Sequence, residues 1–417
     1  MNFKKWLSFS FRKDIKKKTR NINKQQKKKL LLIKKKKVFP FFKKYVLVEK
    51  IFLSSFYFKQ TPHNYNFEIE KTVKKINRKI SRKICFQFPE GLQKFYLFLS
   101  DFFFSKGFFF REPVISNRIS FGACCIDDIF FKLVGADTSF HYGHSCLVPI
   151  IKCLVPISYI FLEIYFDQSF LVEILKKNFG KAESSLNFLS TIQFISCFKK
   201  IENELIFYFK KIKIPQNKPL SPGETLGCTS PSLWNSKNIV YIGDGRFHLE
   251  SCMIESPNSR FFQYNPFSHL LFVTEFSIKE FLEERKFILL KSIINQKNFC
   301  FITGALGRQG DANIFKKIKE IFKIKKFKFF SIFSTEISID KLDILGFKKI
   351  DIFIQIACPR LSYDWGKIFN FPLLTSFEVS VLFGFTVLNN TRYSMDYFSN
   401  SGGFWTTYIK PKKKFFF

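Results

Sequence analysis

With 417 residues, 46% of them hydrophobic, the chain has room for two or three domains with cores of their own, which excludes a disordered chain and a small disulfide-stapled scaffold. Its 68 Lys and Arg against 33 Asp and Glu give a formal charge of +35, but the basic residues are spread along the whole chain and accompany 61 Phe, a pattern of A- and T-rich codon drift rather than a nucleic-acid patch. The first twenty residues lack the apolar core of a secretory signal, so the ten Cys are expected to be reduced thiols in a cytoplasmic setting.

In chain order, residues 1–61 read as a basic, Lys-rich, low-complexity extension without period or turn chemistry. Globular structure is expected from 62, where NYNFEIEKTVKKINRK becomes amphipathic. A strand over 84–88 (ICFQF) then leads through Pro89, Glu90 and Gly91 into a helix from Leu92. The run 146–166 is the nearest approach to a membrane span, but Lys152, Glu163 and two Pro interrupt it, and it reads as soluble core. Within it LVPI occurs twice, making Cys153 a copy of Cys146. A second strand over 187–191 (NFLST) precedes the helical stretch IQFISCFKKIENELI, and a third over 299–303 (FCFIT) leads through GALGRQGD into ANIFKKIKEIF.

Strands alternating with helices predict an α/β fold. The expectation is three similar α/β domains with mainly parallel sheets, arranged pseudo-threefold around a central cluster. Their boundaries are 62–160, 161–290 and 291–395, with a C-terminal tail over 396–417.

Three Cys stand in unusual frames: Cys124 in FGACCIDD, Cys228 in SPGETLGCTSP and Cys358 in DIFIQIACPRLSYDWG. Each is more than 100 residues from the next, so only the folded chain can gather them. Soft thiolates select zinc or iron–sulfur centres, and three of them leave a position open for water or a substrate. Cys125 is the alternative first ligand. Cys85, Cys146, Cys153, Cys197, Cys252 and Cys300 read as core. His141 and His144 in HYGHSC, with Asp127 and Asp128, lie close in sequence to the first cysteine, and Asp244, Arg246 and His248 form a second polar group at a strand end. Neither group has the spacing of a hydrolytic triad. The loop from Gly304 to Gly310 follows a strand and precedes a helix, so its N–H groups suit a carboxylate; no acidic ribose partner lies downstream, which goes against a nicotinamide. Two readings compete with a redox enzyme: a zinc hydrolase with three thiolate ligands, and a non-catalytic basic RNA- or ribosome-associated protein with structural cysteines.

A family resemblance joins these frames. PHNYNFEI at 62–69, FPEGLQ at 88–93, FGACCIDD, HYGHSCLVP, KPLSPGETLGCTSP, YIGDGRFHLES, ALGRQG, IQIACPRLSYDWG and FPLLTSFE together resemble the family of subunit 1 of the eukaryotic 2-(3-amino-3-carboxypropyl)histidine synthases. The match runs from about residue 62 to about 407. The resemblance implies a [4Fe-4S] cluster on Cys124, Cys228 and Cys358, with S-adenosylmethionine as co-substrate. It implies the first step of diphthamide synthesis: an unconventional radical transfer of a 3-amino-3-carboxypropyl group to imidazole C2 of a histidine in translation elongation factor 2. A paralogous second subunit in a heterodimer and a small metalloprotein electron donor are the implied partners. No membrane and no specific nucleic acid enter. His141 and His144 are the expected catalytic residues. Gly307, Arg308, Gln309 and Gly310 are the expected S-adenosylmethionine residues, with Arg308 clamping the methionine carboxylate.

Overall fold

A computed structural model describes residues 61–78, 83–105, 113–120, 122–179, 185–234, 236–294, 298–338, 340–341, 350–364, 366–369, 371–389 and 391–407. The basic extension expected over 1–61 lies outside these residues except for Thr61.

The first unit opens with β1 (Tyr65–Asn66) and α1 (Ile69–Arg78). Its sheet comprises β2 (Ile84–Pro89), β3 (Val114–Ser120), β4 (Thr138–Tyr142) and β5 (Ile157–Ile160) in the order β3-β2-β4-β5, all parallel. Helices α2 (Tyr96–Ser105) and α3 (Asp128–Leu133) lie in its connections, and β6 (Glu163–Ile164) pairs back on β1. Every residue of β2 from Ile84 to Phe88 is buried, which is why its sequence is a run rather than an alternation.

After α4 (Gln168–Asn178) the second unit begins: β7 (Ser185–Ser190), α5 (Phe198–Leu205), β8 (Lys211–Lys213), β9 (Asn238–Ile242), α6 (Phe247–Glu255), β10 (Arg260–Asn265) and β11 (Leu270–Thr274). Its sheet is ordered β11-β10-β9-β7-β8. Only β11 is antiparallel, closing one edge as a hairpin that the α/β pattern of the sequence does not predict.

Through α7 (Ile278–Ile294) the chain enters the third unit: β12 (Asn298–Gly304), α8 (Ala312–Ile324), β13 (Lys328–Ser334), β14 (Ile352–Ile356), α9 (Pro359–Asp364), β15 (Leu373–Thr375) and α10 (Ser376–Leu382). The order is β13-β12-β14-β15, all parallel. Asp311 starts α8 by accepting from the N–H groups of Asn313 and Ile314. Ile314, Ile318, Ile321 and Phe322 then form one apolar stripe on that helix. Phe322 meets Phe299 and Phe301 edge-on at 4.8 and 4.9 Å between centroids. A fully buried ion pair locks the far side: Arg285 on α7 donates from Nε and Nη2 to Glu378, which also caps α10 through Thr375.

In each of the three larger sheets the first strand in sequence, β2, β7 or β12, lies between the second and the third. That reversal of strand order opens a crevice beyond the carboxyl ends of the strands, where ligands of open α/β sheets bind. The run 146–166, expected as soluble core, is core over most of its apolar residues, with a surface turn in its middle. Val155, Ile157 and Ile160 are buried, but Ile151 and Leu154 are exposed, and Cys146 and Cys153 are only half-buried. A 3-10 turn over Ile150–Lys152, entered at Pro149, brings the end of the first LVPI copy to the surface while its Leu147 and Val148 stay in the core. Among the described residues no helix is long and apolar enough to cross a membrane.

Candidate metal centre

Cys124 and Cys228 lie in the connections from the second to the third strand of their units; Cys358 lies two residues past the third strand, β14. The three cysteines are thus not equivalent in topology, yet they converge. Cys124, Cys125 and Cys228 share one buried core cluster, against which Cys358, Leu226 and Leu306 pack. The thiols of Cys228 and Cys358 interact directly. The hydrogen bond from Cys228 pulls the Cys358 thiol below its ordinary value despite burial, helped by the N–H of Arg360. The same bond and burial push Cys228 well above its own. Cys124 is pushed well up by its contact with Cys125, 3.9 Å between sulfurs, then by burial and by its neighbours Cys358 and Cys228.

Each cysteine loop is tied to another unit. The N–H of Arg308 donates to the Cys124 carbonyl at 2.7 Å, and the guanidinium grips Asp128 at 3.1 and 2.5 Å. Gly307 makes this approach possible: at φ +54 it lies so close that a Cβ would meet Cys125 Cα at 2.5 Å. Gln309 Nε2 donates to Cys125 Sγ at 3.3 Å, and both Cys124 and Cys125 lie within electrostatic reach of Cys358. Ser145 donates to Glu224, joining the HYGHSC loop to the Cys228 loop. Arg360, two residues past Cys358, donates to Glu250 at 2.8 Å and to the Phe247 carbonyl at 3.3 Å in the second unit.

The segment expected as a C-terminal tail is described to Thr407 and crosses this centre. The Tyr397 N–H donates to the Cys228 carbonyl at 3.2 Å, its hydroxyl to the Gln309 carbonyl at 3.1 Å, and the Phe398 N–H to Thr229 Oγ1 at 3.1 Å. Tyr397 is buried within the electrostatic reach of Cys358, Cys124 and Cys228, and burial raises its phenol well above the ordinary value.

Beside the thiols, His141 Nδ1 lies 3.0 Å from Gln87 Oε1 and His144 Nδ1 lies 3.1 Å from His141 Nε2. Burial, and next the neighbouring His144, hold His141 well below its ordinary value. Burial, with His248 as a lesser cause, lowers His144 to about 4. His248, lowered to about 4 by burial and Arg360, accepts from the Gly227 N–H at 3.0 Å. Asp127 accepts from Ser116 at 3.0 Å. Asp244 and Arg246 are exposed, and Arg246 donates to the Glu275 carbonyl. Sequence reasoning missed Gln87, Glu224 and Tyr397; for Gln87 the available signal was one amide in the otherwise apolar run ICFQF.

Among the described residues no three His, Cys, Asp or Glu side chains are arranged to hold a single metal ion. Three soft thiols from three units, walled by apolar side chains, have the donor chemistry of an iron–sulfur centre.

The sequence model of the diphthamide synthesis protein family matches residues 88–394. The chain is 39% identical over 358 residues to the 2-(3-amino-3-carboxypropyl)histidine synthase subunit 1 of Dictyostelium discoideum, covering 84% of this chain and 74% of that one. It is 41% identical to the protein of the same name from Eremothecium gossypii, covering 82% and 81%. In fold it is similar to the crystal structure of Dph2 from Pyrococcus horikoshii with a 4Fe-4S cluster, at a TM-score of 0.63 and 24% identity over 78% of this chain and 93% of that one.

Proposed function

The chain belongs to the diphthamide synthesis protein family, and from that premise we propose that it is the catalytic, cysteine-bearing subunit of a 2-(3-amino-3-carboxypropyl)histidine synthase. The observation that carries this reading is the convergence of Cys124, Cys228 and Cys358 from three sheet units. In this reading the three hold a [4Fe-4S] cluster, the group that the similar archaeal structure contains, with the units pseudo-threefold around it. When bound, such a cluster supplies low-potential electrons and an open iron position for S-adenosylmethionine.

The overall transfer breaks the Cγ–S bond of S-adenosylmethionine and forms a C–C bond to imidazole C2 of a histidine in elongation factor 2. Methylthioadenosine leaves with the sulfur, and the C2 hydrogen leaves as a proton. An electron lent to break the bond returns as the ring regains aromaticity, so the sum is redox-neutral. The chain's own residues have three tasks. Leu226, Leu306, Tyr397 and Phe398 wall the thiols from water. Gly307, Arg308, Gln309 and Gly310 border the centre on the co-substrate's side; to take a carboxylate Arg308 must first release Asp128, so its resting task is to hold the Cys124 loop. His141 and His144 receive the departing proton; held neutral by burial, they pass it on rather than store it.

The relatives are named as subunit 1, which supports a synthase of more than one subunit, here with a paralogous partner, a small metalloprotein electron donor and a cytoplasmic setting. The test is product analysis by mass spectrometry after anaerobic reconstitution with iron and sulfide, reduction and addition of S-adenosylmethionine, with the partner subunit present. Methylthioadenosine is expected, and its loss in Cys228→Ala. Deoxyadenosine in its place would overturn the reading.

A further inference from the structure

Gln87 is 1% exposed, and two backbone groups clamp its amide: Nε2 donates to the Cys125 carbonyl at 2.7 Å, and Oε1 accepts from the Asp127 N–H at 3.2 Å. A carbonyl cannot donate and an N–H cannot accept, so this amide has a single orientation. The same Oε1 lies 3.0 Å from His141 Nδ1, which must therefore carry a hydrogen. His141 is fully buried and neutral, so its Nε2 is a bare lone pair. The 3.1 Å contact to His144 then places a hydrogen on His144 Nδ1 and leaves His144 Nε2 as a lone pair. In the second unit the Gly227 N–H donates to His248 Nδ1, so neutral His248 carries its hydrogen on Nε2. A few backbone groups thus dictate the tautomers of three imidazoles.

Burial runs along this chain as a gradient. His141 is sealed, whereas His144 and His248 are partly exposed and close enough for His144 to respond to charge on His248. His248 also lies in the field of Arg360, two residues past Cys358, and its hydrogen-bond partner Gly227 precedes Cys228. The outward end of the chain therefore flanks the thiols.

Resting on the function proposed above, we propose that His144 and His248 form the seat of the acceptor imidazole. His144 Nε2 takes its ring N–H, His248 Nε2–H donates to its other nitrogen, and Gln87 is the positioning residue that sets the first of these. A neutral imidazole offers one donor and one acceptor on either side of C2. Gripping both nitrogens fixes the carbon between them, the atom that forms the new bond. The seat also discriminates: a protonated ring brings two donors, a ring N-methylated on the donor nitrogen brings none, and each leaves one partner unsatisfied.

The test uses the full chain labelled with 15N-histidine. Long-range 15N–1H correlation is expected to show hydrogen on Nδ1 of His141 and His144 and on Nε2 of His248. Added imidazole should shift the Nε2 resonances of His144 and His248, with 1-methylimidazole binding at least tenfold more weakly. In the reconstituted synthase, His248→Leu should raise KM for elongation factor 2 at least tenfold, and His248→Gln, which retains an N–H donor, should recover most of it. The opposite tautomer at His144, equal response to both probes, or an unchanged KM in His248→Leu would each overturn the seat. The tautomers and imidazole binding need no S-adenosylmethionine and no variant. Failure to form methylthioadenosine with the seat intact would therefore remove only the proposed function, and a failed seat with methylthioadenosine formed would remove only the seat.

Discussion

The first and third sheet units share a strand order and part at the ends of their third strands. Two residues beyond β4 stands His144; two beyond β14 stands Cys358; the middle unit has Asp244 two beyond β9. The backbone behind each position differs. After β14 a helix begins at once, and the hydrogen bond from Cys228, helped by the Arg360 N–H of that helix, holds the Cys358 thiol below its ordinary value, so that strand end favours a thiolate. After β4 the chain turns at Gly143, φ +74, where a Cβ would meet Leu92 Cδ1 at 2.8 Å, and runs on without a helix into the bonded pair Ser145 and Glu224. There a half-buried imidazole stays neutral. Strand order decides where a side chain is delivered, and the groups packed around it decide which charge that side chain carries.

The contrast is broken most completely at the cysteines. Cys358→Ala is expected to abolish the visible absorption of a reconstituted cluster, whereas His144→Ala keeps that absorption and loses more than tenfold in transfer to elongation factor 2; absorbance and product formation, measured on both, decide it. Equal loss of colour in the two variants would mean that the strand ends are not specialised. Next comes the support of the first cysteine. Gly307→Ala places a Cβ against the Cys125 backbone in a left-handed conformation and is expected to cost about 2–4 kcal/mol in denaturant unfolding. Gly91→Ala, where a Cβ would meet nothing within 4 Å, should stay within about 0.5 kcal/mol.

Acid sharpens the comparison further. His144 and His248 are held near 4 in the folded chain, against 6.5 ordinarily, so the unfolded chain binds more protons between those values. Their contribution is complete above pH 6.5 and is lost as pH falls toward 4, at most about 3 kcal/mol for each ring. Glu255 has the opposite slope: burial, partly offset by Arg392, raises it to about 7 from 4.5, so its protonated form contributes below 4.5 and that contribution fades as pH rises through 7. Unfolding free energies of the parent, His144→Ala and Glu255→Gln across pH 4–8 separate the two; parallel curves would refute the assignment. The smallest effect is Tyr397→Phe, which removes one hydrogen bond to Gln309 and is expected to cost about 1 kcal/mol, read by denaturant titration.

Much of the scaffold was legible. The strands expected at 84–88, 187–191 and 299–303 are β2, β7 and β12, because continuous apolar runs next to Gly and Pro leave few alternatives. The three cysteines were legible from their frames, and they do come together. Less could be read where the partner is remote. Arg308 looked like a carboxylate clamp because nothing local marks Asp128, 180 residues earlier, as its mate. Tyr397 looked like part of a tail because SMDYFSN carries neither helical nor strand period. The β10–β11 hairpin was hidden by Phe-rich composition, which blurs the boundary between exposed and buried strands: Leu270, Phe272 and Val273 are all exposed.

The strap through Tyr397 and Phe398 also has a place in time. A chain is made in one direction, and Tyr397 and Phe398, unlike Leu226 and Leu306, are made after all the residues that supply the thiols. For an interval on the order of seconds at ordinary elongation rates, a nascent chain holds Cys124, Cys125, Cys228 and Cys358 without their cover. Protection from oxidant therefore arrives last in synthesis, and a product cut short before Tyr397 would expose to oxidation the sulfurs that the finished chain shelters.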